Sequence, residues 1–193
     1  NGDYDRAAIV LGEAWDTPGQ RPVAKVYAHV PYLEFLLHVG EFDQAATRAM
    51  ELAETHGATG AVVGRAFAGE ALLLLGKREE AAALSDELDA SLADEFPNGL
   101  SGRGQSFVRQ FRAEQSLYDS DPTTVFLVEG DLLGIADSLL GEASFDGWGE
   151  GLFRIERMMR FAHRAGFDDL VGKLRDRIET LDATYTPSLE FPQ

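Results

Sequence analysis

Four histidines, His29, His38, His56 and His163, are the side chains best suited to proton transfer or metal binding near neutral pH. No two of them stand four apart, as a helical metal pair requires, and no His-Glu-x-x-His run occurs. Glu34 and His38 share one helix face and can pair, an arrangement common on helices whose default use is a surface or groove contact. The run Gly99-Leu100-Ser101-Gly102-Arg103-Gly104-Gln105-Ser106 nearly spells a phosphate-binding loop, but Gln105 stands where lysine must supply charge to the phosphates. The segment before it, Leu88 to Phe96, reads as helix, whereas such a loop follows a strand. Cysteine is absent and no Gly-x-Ser-x-Gly elbow is present, so thiolate chemistry is excluded and no nucleophile triad assembles. These residues predict a non-enzyme with no cofactor and no metal.

One charged constellation remains. Arg154, Arg157, Arg160 and Arg164 fall on one side of a helix. Either they grip phosphate or carboxylate with guanidinium forks, or they are neutralised by Glu150, Glu156, Asp168 and Asp169.

The elements that must carry these groups are helices. Leu33, Leu36 and Leu37, then Ala45, Ala49, Leu52 and Ala53, recur at threes and fours, as do Phe67, Ala68, Ala71, Leu72 and Leu75 and then Ala81, Leu84 and Leu88. A phrase recurs with them: Gly2-Asp3-Tyr4-Asp5-Arg6-Ala7, Gly40-Glu41-Phe42-Asp43-Gln44-Ala45 and Gly76-Lys77-Arg78-Glu79-Glu80-Ala81. Each reads as a glycine turn, a side chain two positions on that packs across it, and an alanine where the next helix meets its neighbour. Glycines 38 and 36 residues apart signal stacked helical hairpins. Pro31 either kinks the Val23–Val39 run or starts a helix afresh. Thr124 to Val128 is the single β-prone run, and Asp121-Pro122 before it reads equally well as a helix start. Further helices are expected at about 105–118, 122–142, 148–164 and 167–184, and Ala165 to Leu170 faintly echoes the joint.

The segment Ala68-Gly69-Glu70-Ala71-Leu72, followed by Gly76, Arg78 and Ala81, resembles the tetratricopeptide repeat (TPR) family. Residues 26–95 cover two such repeats, and 2–15 resemble the second helix of a preceding one. A weaker resemblance is to the degenerate repeats of bacterial signalling and transcription regulators. The resemblance implies an all-α fold, a TPR-like right-handed superhelix of antiparallel helix pairs. The expected organisation is repeats over 1–95, a loop at 96–104, further hairpins of the same solenoid over 105–185 and an extended tail at 186–193. Beginning at Asn1 inside a repeat, the chain is expected to be a fragment or processed form.

In the family's register the first helix of each pair lines a concave groove. That places Tyr27, Val30, Glu34, Leu37 and His38 from one repeat, and Val63, Ala66, Glu70, Leu73 and Leu74 from the next, on a partner-binding surface. The alternative is that several of these positions are core. The net charge of −16 excludes general affinity for nucleic acid or anionic membranes and favours a basic or amphipathic partner helix. No apolar run is long enough to span a bilayer and no leader precedes the first helix, which predicts a cytoplasmic chain. The expected function is non-catalytic protein–protein interaction, with a ligand-sensing regulatory domain of a larger signalling or transcription regulator as the alternative.

Overall fold

A computed structural model describes residues 4–16, 22–100, 103–118, 128–137 and 148–181. Every regular element among them is an α-helix: α1 Tyr4–Asp16, α2 Pro22–Val39, α3 Phe42–Thr55, α4 Gly57–Leu74, α5 Arg78–Glu95 and α6 Arg103–Ser116. They are followed by α7 at 128–137, α8 Trp148–Arg164 and α9 Asp168–Leu181. The all-α expectation is met at that level. Val128, the last residue of the β-prone run, opens α7; the rest of that run and the expected tail lie outside the described residues.

The glycine turn and the buried small or apolar residue of the repeated phrase are built at the described joints, while Gly2 of its first copy lies outside the described residues. Gly40, Gly76 and Gly166 all adopt the left-handed backbone, with φ of 90°, 77° and 85°. The residue after each glycine returns its N–H to a carbonyl five residues back: Glu41 to Leu36 at 2.9 Å, Lys77 to Leu72 at 2.9 Å and Phe167 to Ala162 at 2.8 Å. This backbone closure satisfies carbonyls that the helix end would otherwise orphan, and only glycine enters that conformation without strain. Five positions after each glycine stand Ala45, Ala81 and Val171, all buried, with amides donating to the carbonyls of Glu41, Lys77 and Phe167. The faint echo at Ala165–Leu170 is thus a full joint. Of the side chains placed to pack across the turn, Phe42 is half-buried while Arg78 and Asp168 are exposed.

Pro31 neither ends nor restarts a helix; α2 runs through it, with the ring on the exposed side. The α3–α4 corner is tighter than a hairpin loop, for His56 alone separates the two helices and Gly57 takes φ 64°.

The described chain forms two compact units, 1–108 and 109–193, which divide within α6. In the first, α2 and α4 are apolar almost all round and supply most of the core, including Val30, Leu33, Leu37, Val63, Ala66 and Phe67. Helices with that pattern belong in the interior. α3 and α5 bury one stripe each, Ala45, Ala49, Leu52 and Ala53 on the former, Ala81 and Leu88 on the latter. The closest approach is α3 on α4. A Cβ built on Gly64 would lie 2.4 Å from the Ala49 carbonyl oxygen and 2.8 Å from the Ala53 Cβ, so only glycine allows this crossing. In the second unit, Phe111, Leu132, Ile155, Met158, Met159, Phe161, Leu174 and Ile178 are among the buried side chains.

Candidate functional site

The seven residues proposed to line a groove do not form an open one. Val30, Glu34, Val63, Glu70 and Leu74 are buried, and only Tyr27 and His38 keep partial exposure. Leu37, Ala66 and Leu73 are buried with them. The physical reason is that the face of α2 and α4 expected to be concave is covered by neighbours. Phe107, near the start of α6, tilts against Phe67 with ring centroids 4.9 Å apart, both rings buried. Gly104, one turn earlier, comes so close to Tyr27 that a Cβ there would sit 3.3 Å from the phenol oxygen. From the other side Tyr4 of α1 lies against Phe35 and His38, at 6.4 and 6.1 Å. Within the glycine-rich run, of which 101–102 lie outside the described residues, Gly104 contributes packing, buried against Leu100 in the first turn of α6.

Sequence reading missed a second constellation, because its members are scattered along the chain and meet only in the folded hairpins. Trp15 of α1 tilts over His29 of α2 at 4.2 Å and meets Tyr32 edge-on at 5.7 Å. His29 in turn meets His56 edge-on at 5.1 Å. Arg48 of α3 places its guanidinium 5.7 Å from the Trp15 ring centroid while donating to Glu51 at 2.8 Å, and the Gln44 amide donates to the Tyr32 hydroxyl at 3.2 Å. The Glu51 hydrogen bond pushes the Arg48 pKa above its usual value. The cluster locks α1, α2 and α3 together through aromatic and cation–π contacts worth about 0.5–1.5 kcal/mol each. Two imidazoles do not make a metal centre, and no group of three or more potential ligands is assembled among the described residues.

The arginine stripe divides by burial. Arg154 and Arg157 are each 1% exposed, Arg160 is half-buried and Arg164 is exposed. Arg154 Nε donates to Gln110 Oε1 at 2.8 Å, and Gln110 Nε2 donates to Glu114 Oε1 at 2.8 Å. The relay runs from α8 into α6 and is buried throughout, so the Arg154 end of the stripe is interior rather than an exposed anion grip. Among the acids named as neutralising partners, Glu156 is itself buried, and Asp168 accepts from His163 at 3.0 Å. The unit's outer surface also carries an open depression of about 320 Å³ lined by Glu129, Gly166, Phe167, Asp168, Asp169 and Leu170, with Lys173 bonded to Glu129 at its edge.

Comparison with protein-family models, with curated proteins and with solved structures finds no match to this chain. No helix among the described residues is long and apolar enough to cross a membrane.

Proposed function

We propose that the chain is a non-catalytic protein–protein interaction module, a TPR-like stack of helix pairs that receives a basic or amphipathic helical segment of a partner. The observation that carries this reading is the recurring joint at Gly40, Gly76 and Gly166, closed each time by the same backbone bond. A chain that repeats one packing unit takes its shape from that unit, and the long flanks it exposes are preformed for binding. The buried positions of α2 and α4 move the partner to the exposed side of the second helices. There Glu54 of α3 and Glu79, Glu80 and Asp86 of α5 face solvent and steer positive charge, beside Glu51 and Glu87, which already pair with Arg48 and Arg65.

The test is titration with a synthetic amphipathic helix bearing lysines, beside a control peptide with glutamates in their place. The lysine peptide should bind with a salt-dependent on-rate, and the variant E79Q/E80Q/D86N should slow association about tenfold while lowering the melt only slightly, since Glu79 and Glu80 stand in the first turn of α5 and favour its dipole. Failure of the lysine peptide to bind at low salt, or equal binding by the triple variant, would refute the proposal.

The alternative, a ligand-sensing regulatory domain, has one observation in its favour. The Trp15–His29–His56 ladder joins α1 and α2 to the α3–α4 corner, so a ligand displacing Arg48 from Trp15 would loosen α1 and change the Trp15 fluorescence.

A further inference from the structure

α1 packs on α2 through the face that carries Tyr4, Leu11 and Trp15, yet none of its residues is fully buried. The opposite face is composed of Arg6, Ile9, Val10 and Glu13, spaced at i, i+3, i+4 and i+7 and all exposed, Ile9 and Val10 at 61% and 55%. Elsewhere in the first unit the outward faces of second helices are polar or small; at the corresponding place α3 has Thr47 and Arg48. Two branched aliphatic side chains at the centre of a solvent-facing stripe, with opposite charges at its ends, form a pattern that is its own complement.

We infer that this face pairs with the same face of a second copy of the chain, the two α1 helices lying antiparallel about a two-fold axis between Ile9 and Val10. In that register Ile9 of each copy meets Val10 of the other, and Arg6 of each meets Glu13 of the other. One operation satisfies all four residues, which is what an isologous contact demands.

The charges on α1 support the same arrangement. Arg6 lies near the helix N-terminus and Glu13 in its last turn, the reverse of what the helix's own dipole favours. Against an antiparallel neighbour the preference inverts, because Arg6 then faces the partner's negative end and Glu13 its positive end. Both residues also interact within their own chain, so the pairing adds to contacts already made. A helix of 13 residues is about 20 Å long, and a contact that size falls at the weak, reversible end of protein association. The net charge of −16 opposes it further at low ionic strength.

The experiment is sedimentation equilibrium of the full chain from about 5 to about 500 µM in about 150 mM salt, where repulsion between copies is screened beyond about 8 Å. A concentration-dependent monomer–dimer equilibrium is expected. R6E or E13R alone should weaken it about tenfold by opposing like charges, R6E/E13R should restore it, and I9N/V10N should abolish it. Both charge changes improve the match to the helix dipole, so loss of dimer in the single variants cannot be ascribed to melting of α1. A chain monomeric over the whole range overturns the inference and leaves the face to another partner. So does a dimer indifferent to I9N/V10N, or a charge-swapped variant that fails to recover. The α5 variant used for partner binding leaves this face intact, so failure of either proposal is read separately.

Discussion

Gly64→Ala is the sharpest test of the packing between α3 and α4. The added methyl would meet the Ala49 carbonyl oxygen at 2.4 Å, the Ala53 amide nitrogen at 2.7 Å and the Ala53 Cβ at 2.8 Å, where ordinary contacts begin near 3.4 Å. Two of these atoms are backbone, and no rotamer change relieves them, so the helices must separate. Overpacking of this kind costs about 1–3 kcal/mol and more where backbone must move, against about 1 kcal/mol returned by alanine's higher helix propensity. The net expectation is a destabilisation of up to about 2 kcal/mol, or a few degrees in Tm for a chain of this length. Gly172→Ala in α9 is the matched control. A Cβ there meets nothing within 4 Å, so only the propensity term acts and stability should rise by up to about 1 kcal/mol. Urea unfolding followed by helical circular dichroism reads both. If Gly64→Ala stabilises as Gly172→Ala does, the close crossing of α3 and α4 is wrong.

Phe107→Ala should destabilise the first unit by about 3–5 kcal/mol, since a buried ring packed against Phe67 is removed; a loss under about 1 kcal/mol, by the same unfolding assay, would mean that α6 does not cover α4. Arg154→Met should destabilise the second unit by about 3–5 kcal/mol because Gln110 and Glu114 stay buried without the cation at the head of their relay, and Arg154→Lys should recover little of it, an ammonium being unable to reproduce the Nε contact. A melt unchanged by Arg154→Met would show that the relay is solvated.

The hairpins were legible because each joint imposes one conformational demand on one residue type. Gly40 and Gly76 stand where a left-handed backbone is needed, and Ala45 and Ala81 where two helices touch, so residue identity and period report geometry directly. The third joint carries Val171 in place of alanine and Asp168 where the others have Phe42 and Arg78, which blurs its sequence while its closing hydrogen bonds are the same. The groove was misread for a different reason. Val30, Val63 and Leu74 are apolar whether they line a groove or a core, and the choice depends on what α6 covers, a contact between residues 40 apart in the case of Phe67 and Phe107. Buried acids at 34 and 70 strengthened the error, since carboxylates read as exposed until their surroundings are known. The tight α3–α4 crossing does leave a signal: Ala45, Ala49 and Ala53 recur every four residues, and the last two meet Gly64, four residues beyond Gly60. The Trp15–His29–His56 cluster left none, because no periodicity links its members.

The form of the joint bears on how such a chain can change over generations. Its closing bonds are backbone to backbone, from Glu41 to Leu36, Lys77 to Leu72 and Phe167 to Ala162, and the one strict requirement is a residue without a side chain. Glutamate, lysine and phenylalanine serve equally well beside that glycine. Across a period of 36 to 38 residues, one glycine and one small or apolar side chain are prescribed, while most other positions need only preserve volume and polarity. Outward positions such as Ile9 and Val10 can then be rewritten to acquire or lose a partner while the joints hold the helices in place.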